Sequence, residues 1–169
     1  GENEVILTVI DASGNLSTCT SIVTVVYADL GIRVVPDEDI ICNGETTALI
    51  FESNAPGTTW TWTANANNYI TGASGDDSGL SSVIAQTLMN SDNAAHNVVY
   101  TVVPTVYGQC EVPAVTAEVW VNPVPMIQVN PHEDVVCYGE GITLNVRNLN
   151  GQVRGQWVYD LRVEADPEI

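Results

Sequence analysis

Apolar and polar residues alternate with period two in Trp60-Thr61-Trp62-Thr63 and again in Glu118-Val119-Trp120-Val121-Asn122, as they do in a strand buried on one face. Runs of the same kind predict strands near 31–35, 46–53, 58–63, 81–88, 97–106 and 114–121, with a short one near 68–71. Between them stand Asn54-Ala55-Pro56-Gly57 and a Gly/Ser/Asp stretch over 72–79, both turn chemistry. No segment carries apolar residues at helical spacing. Six or seven short strands in about 90 residues predict an all-β immunoglobulin-like sandwich.

The chain also repeats itself. PDEDIICNGE at 36–45 returns as PHEDVVCYGE at 131–140, with its Pro, Glu, Asp, Cys, Gly and Glu each displaced by 95 positions. The same offset carries Leu49 to Leu144, Phe51 to Val146 and Trp62 to Trp157. A second offset, of 93, relates Tyr100 and Thr101 to Leu7 and Thr8, with Cys110 near Cys19 after a short gap. The predicted organisation is therefore tandem: the last strands of one module over 1–30, a complete module over 31–123, and the first strands of a third over 124–169. A period of this size fits globular modules in a row better than a solenoid, whose units run roughly 20–50 residues. Three prolines in VNPVPMIQVNP (121–131) predict a short, stiff linker. The start GENEV is neither an initiator Met nor a signal sequence, so any targeting signal is expected outside these residues.

Composition narrows the function classes. Four Arg, no Lys and 21 carboxylates give a net charge of −17, which opposes binding to nucleic acid or an anionic membrane surface. The missing lysine excludes Schiff-base chemistry, a Walker lysine and Lys–Asn isopeptide cross-links. No run of about 18 apolar residues is present, so membrane insertion by a helix is not expected.

The repeat assigns one Cys to the start and one to the end of each module, which pairs Cys42 with Cys110. Cys19 and Cys137 then belong with partners outside this chain. Such a bridge contributes about 4 kcal/mol by loop-closure entropy and implies an oxidising exterior. A metal site of all four thiolates and a Cys19–Cys137 bridge are the alternatives, the first lacking a Cys-x-x-Cys.

The span from Ile41-Cys42-Asn43-Gly44 through Trp60-Thr61-Trp62-Thr63 and Ile70-Thr71-Gly72-Ala73 to Val99-Tyr100-Thr101-Val102 and Val121-Asn122-Pro123 resembles the PKD-like repeat of very large Bacteroidota surface proteins. Leu7-Thr8-Val9-Ile10-Asp11-Ala12-Ser13-Gly14-Asn15 followed by Cys19 is similar to the end of an HYR or PKD module. The resemblance implies cell-surface display and export by the type IX pathway, as in SprB-like gliding adhesins and other extracellular filaments. The function expected from it is structural or adhesive, serving surface attachment, gliding or prey capture. The alternative is a carbohydrate- or protein-binding Ig-like module of a secreted multidomain protein. Its partners are then neighbouring modules of the same chain, further copies in a homo-oligomeric filament, or a surface glycan or protein.

Candidate sites are few. Asp37, Glu38 and Asp39 at the first joint, with Asp29, are candidate oxygen ligands for a structural Ca²⁺, against the plain reading of a solvated acidic loop; no other cofactor is expected. Trp62 is expected in the core, because Trp157 keeps its place. Trp60, whose counterpart is Gly155, and Trp120, which alternates opposite to Val119 and Val121, are candidate contacts to another chain. His96 and His132 lie in no nucleophile or zinc motif, so no enzyme active site is expected.

Overall fold

The computed structural model describes residues 2–24, 29–106 and 110–164. Fourteen strands account for its regular structure: β1 (Glu2–Ile10), β2 (Leu16–Thr24), β3 (Arg33–Val35), β4 (Glu38–Ile41), β5 (Leu49–Glu52), β6 (Thr59–Ala66) and β7 (Ile70–Thr71), followed by β8 (Val83–Ile84), β9 (Met89–Asn90), β10 (His96–Val106), β11 (Cys110–Glu111), β12 (Val115–Val121), β13 (Ile127–Asn130) and β14 (Asn145–Asn148). The chain separates into two compact units, Gly1–Gly31 and Ile32–Ile169.

The first unit is the antiparallel hairpin β1–β2, with Leu7 opposite Cys19 and Thr8 opposite Thr18. Asp11 shapes its turn: the carboxylate accepts N–H bonds from Ser13 and Asn15 at 2.8 and 2.9 Å and one from the Asn15 amide at 2.8 Å. These bonds hold the Asp11 carboxyl below its ordinary range.

The second unit contains an immunoglobulin-like β-sandwich. One sheet runs β6-β10-β12-β4, antiparallel except that β4 lies parallel to β12, and β11 folds back on the end of β10. The facing strands are β3-β5-β8 and the pair β7-β9. Alternation decides what lies between the sheets. Val98, Tyr100 and Val102 of β10, and Val119 and Val121 of β12, are wholly buried against Leu49 and Ile84 from the other side. Phe51 crosses the gap, with its ring centroid 5.2 Å from Trp60 and 5.5 Å from Trp62. Pro104 sits in β10 without breaking a ladder, because pairing with β12 ends at Val102↔Val115.

Strand β4 was not among the predicted elements; residues 37–39 read as an acidic joint. It is a strand because β12 supplies a parallel edge: Glu118↔Glu38 through Val121↔Ile41.

The repeat offset of 95 reappears in the backbone. Gln128↔Arg147, Val129↔Val146 and Asn130↔Asn145 in β13–β14 match Arg33↔Glu52, Val34↔Phe51 and Val35↔Ile50 in β3–β5 position for position. The repeated Cys-x-Gly-Glu also forms one turn twice. Glu45 N–H donates to the Cys42 carbonyl at 3.1 Å and Cys42 N–H to the Glu45 carboxylate at 2.7 Å. The bonds between Glu140 and Cys137 measure 3.0 and 3.1 Å. The intervening Gly44 and Gly139 have φ of 84° and 86°, a region that favours glycine.

Tyr100 gives the core a pH signature. Its hydroxyl donates to Gln86 Oε1 at 3.0 Å, and burial raises the phenol to about 12. The unfolded phenol ionises near 10, so this contribution to stability is complete below pH 10. It is lost as pH rises towards 12, by up to roughly 2 kcal/mol. Phenolate absorbance is expected to show a separate late step that Tyr100→Phe removes; a step unchanged in that variant would contradict the assignment.

Candidate interface at the end of the sandwich

The richest polar constellation lies where β12 ends and the proline-rich linker begins. Two asparagines organise it. Asn122 exchanges a pair of bonds with Arg154: its Nδ2 donates to the Arg154 carbonyl at 3.0 Å, and its Oδ1 accepts the Arg154 N–H at 2.9 Å. Asn150 accepts the Met126 N–H at 2.6 Å and donates to the carbonyls of Asn93 and Val124 at 3.2 and 3.0 Å. Backbone bonds from Gly151 to Asn93 and from Ala95 to Gln152, at 2.9 and 2.7 Å, complete the seam. A methyl group on Gly151 would stand 3.1 Å from Ala94 Cβ, so a bare backbone suits this close approach.

Trp120 lies on the outer face of β12, half-buried. The Arg154 guanidinium carbon sits 3.6 Å from its ring centroid, a cation–π contact. Trp120 Nε1 is buried with no hydrogen-bond partner among the described residues. Beside this seam is a cavity of about 340 Å³ whose walls include Cys42, Pro123, Pro125, Val153, Arg154 and Trp157. Its size falls within the roughly 300–1,000 Å³ of small-molecule sites. The wall is mainly apolar, with the guanidinium of Arg154, the thiol of Cys42 and the carboxamides of Asn43, Asn122 and Gln156 as its polar groups.

The structure corrects two expectations. Trp60 is only 4% exposed and belongs to the core, so it offers no contact to another chain; it shares the inward face with Trp62 two residues on. The Cys42–Cys110 bridge also fails. Cys42 is an exposed free thiol just beyond Ile41, which pairs with Val121, itself opposite His96 at the start of β10. Cys110 pairs with Val106 at the far end of β10. Ten residues of strand at about 3.3 Å each separate those ends, whereas bridged Cα atoms lie within about 7 Å. The side chain of Cys110 lies outside the described residues. Cys19 and Cys137 are free thiols as well, and Cys19, opposite Leu7, occupies the place that Ala117 holds opposite Tyr100.

The acidic candidates divide between the two units. Asp29 belongs to the first unit, where its carboxylate accepts the Gly31 N–H at 3.0 Å. Glu38 and Asp39 are successive residues of β4 and face opposite sides, while the Asp37 carbonyl accepts the Glu118 N–H at 2.8 Å. No three His, Cys, Asp or Glu side chains stand together as a metal site among the described residues.

His96 has a definite place that its sequence context did not reveal. Its Nε2 lies 2.7 Å from the Asp92 carboxylate and its Nδ1 2.7 Å from the Asn67 amide, and Tyr69 stacks on the ring at 4.8 Å. The bond to His96 is the main reason the Asp92 carboxyl lies below its ordinary range. His132 is exposed. Among the described residues no helix is long and apolar enough to cross a membrane.

The family model described as PKD-like domain matches residues 39–125. No curated protein matches the chain at a significant level.

Proposed function

Because the chain belongs to the PKD-like domain family, we propose that it is a structural and adhesive segment of a long extracellular array of such modules, displayed at the cell surface. The observation that carries this reading is the duplicated register: β13–β14 repeats the pairing of β3–β5 at an offset of 95, with the same Cys-x-Gly-Glu turn between the two strands each time. A module that begins again directly after one ends is the expected arrangement of a tandem protein. The seam of Asn122, Asn150 and Arg154 then acts as an intermodule clamp, holding the linker and the next module's opening strands against the finished sandwich. PKD-like modules are typically extracellular, and the net charge of −17 without a lysine favours solubility in a saline exterior. The resemblance to giant Bacteroidota adhesins exported by the type IX pathway supports attachment to surfaces as the array's task.

The cavity beside Trp157 favours a second reading, a module that binds a glycan or protein ligand. Immunogold labelling of intact cells with antibodies against residues 31–123 tests the first. Labels strung along surface filaments are expected, whereas labelling confined to the cell interior would overturn it. Specific retention of a glycan by the isolated second unit, reduced by Trp157→Ala, would favour the second.

A further inference from the structure

Asparagine stands directly before glycine twice in this chain, at Asn43-Gly44 and at Asn150-Gly151. Such a pair is chemically labile. The glycine backbone nitrogen attacks the asparagine carboxamide carbon, its proton leaves with the expelled ammonia, and a succinimide ring closes; glycine has no side chain to crowd the approach. Water then opens the ring on either side, giving aspartate or an isoaspartyl residue whose main chain runs through the former side chain.

At Asn150 the fold itself demands the labile pair. A Cβ on residue 151 would stand 3.1 Å from Ala94 Cβ, so the close approach of the two backbones calls for glycine. Asn150 serves the seam with both ends of its carboxamide: Oδ1 accepts the Met126 N–H at 2.6 Å, and Nδ2 donates to the Val124 and Asn93 carbonyls at 3.0 and 3.2 Å. The Gly151 N–H donates to that same Asn93 carbonyl at 2.9 Å. Both reacting groups are therefore occupied while the seam is closed, and they are released when it opens. Asn43-Gly44 is held by the sandwich instead. Asn43 Oδ1 accepts the N–H of the buried Asn90 at 2.6 Å, and the Gly44 N–H donates to the carbonyl of Leu88, a core residue, at 2.8 Å. Freeing that pair means disturbing the core.

Neither product restores the seam. Aspartate keeps an acceptor for Met126 but has no N–H for Val124 and Asn93, so a carboxylate oxygen meets two carbonyl oxygens and their bonds are lost. The isoaspartyl form adds one atom to the main chain, which takes Gly151 and Gln152 out of step with Asn93 and Ala95, their partners at 2.9 and 2.7 Å. We propose that Asn150-Gly151 is a self-modification site acting as a one-way release: opening of the seam exposes the pair to deamidation, and deamidation leaves the seam unable to reclose. The inference rests on the clamp reading given above.

Peptide mapping by mass spectrometry of the 169-residue chain, kept folded at mildly alkaline pH, is expected to show aspartate and isoaspartate accumulating at Asn150 while Asn43 stays intact. Asn122→Ala removes the two bonds that tie Arg154 to the sandwich. It is expected to speed the reaction at Asn150 roughly tenfold or more through the opening equilibrium, and to leave Asn43 unmoved as the internal check on the sandwich. Asn150→Asp is expected to speed hydrogen exchange at Met126, Gly151 and Ala95 by a similar factor, with the amides of β10 and β12 still slow. Equal rates at the two pairs, an Asn150 rate that Asn122→Ala does not change, or wild-type exchange in Asn150→Asp overturns the release. Exchange in the unmodified chain separates this from the clamp reading. If Gly151 and Ala95 are protected there while Asn150 reacts no faster than Asn43, the clamp stands and the release falls; if they are unprotected, both fall.

Discussion

Trp60→Ala is expected to lower the unfolding free energy of the sandwich by about 3–5 kcal/mol, the usual cost of truncating a buried tryptophan. Trp60 packs on Phe51 from the opposite sheet, and its loss leaves a void between Phe51 and Trp62 that strands held on both sides cannot close. Trp120→Ala is the matched comparison. It removes an indole of the same size from the outer face and gives up chiefly the contact to Arg154, worth about 0.5–1 kcal/mol near a surface. Urea denaturation followed by far-ultraviolet circular dichroism measures both without relying on the fluorophore that is removed. Equal losses in the two variants would show that Trp60 is not the core residue its burial indicates.

Gly72→Ala is expected to be as damaging, by roughly 3 kcal/mol or more, although it adds a single methyl group. Gly72 has φ of 93°, and a Cβ there would stand 2.0 Å from the Thr87 carbonyl oxygen. Both costs fall on backbone, which cannot swing aside as a flexible side chain can. The pairing of β7 with β9, Thr71↔Met89, adjoins the site, so relief by backbone movement would open that pair. Gly57→Ala supplies the contrast: φ is also positive, at 74°, but nothing lies within 4 Å of the added atom. A thermal melt of the two variants is expected to show the larger loss for Gly72→Ala. Equal losses would mean that conformation alone, and not the close approach to Thr87, sets the requirement.

Much of the sandwich was legible because its elements are local. Alternation over 58–63, 97–106 and 114–121 marks β6, β10 and β12, and the turn residues between them mark where the chain reverses. The core residues follow directly, since a strand's inward face is fixed by parity. Trp60 shows how that signal was overridden: its parity with Trp62 placed it inside, while its counterpart Gly155 drew attention to variation instead. The repeat was equally plain, because an offset of 95 is written in residue identities, and the register of β13–β14 follows it.

What the sequence determined by itself, then, is the set of strands that alternation makes and the modular period. What tertiary structure alone decided are the relations between distant edges. Glu38–Ile41 has no strong pattern of its own and becomes β4 only because β12, some eighty residues later, offers a parallel edge. The same pairing places Cys42 at one end of the sheet, and the fold-back of β11 places Cys110 at the other. Spacing along the chain counts cysteines per module but carries no information about which end of a strand each one reaches. The clamp of Asn122, Asn150 and Arg154 was hidden for the same reason: an asparagine's hydrogen bonds are set by whichever backbone the fold brings beside it, and that is fixed only when the sheets are packed.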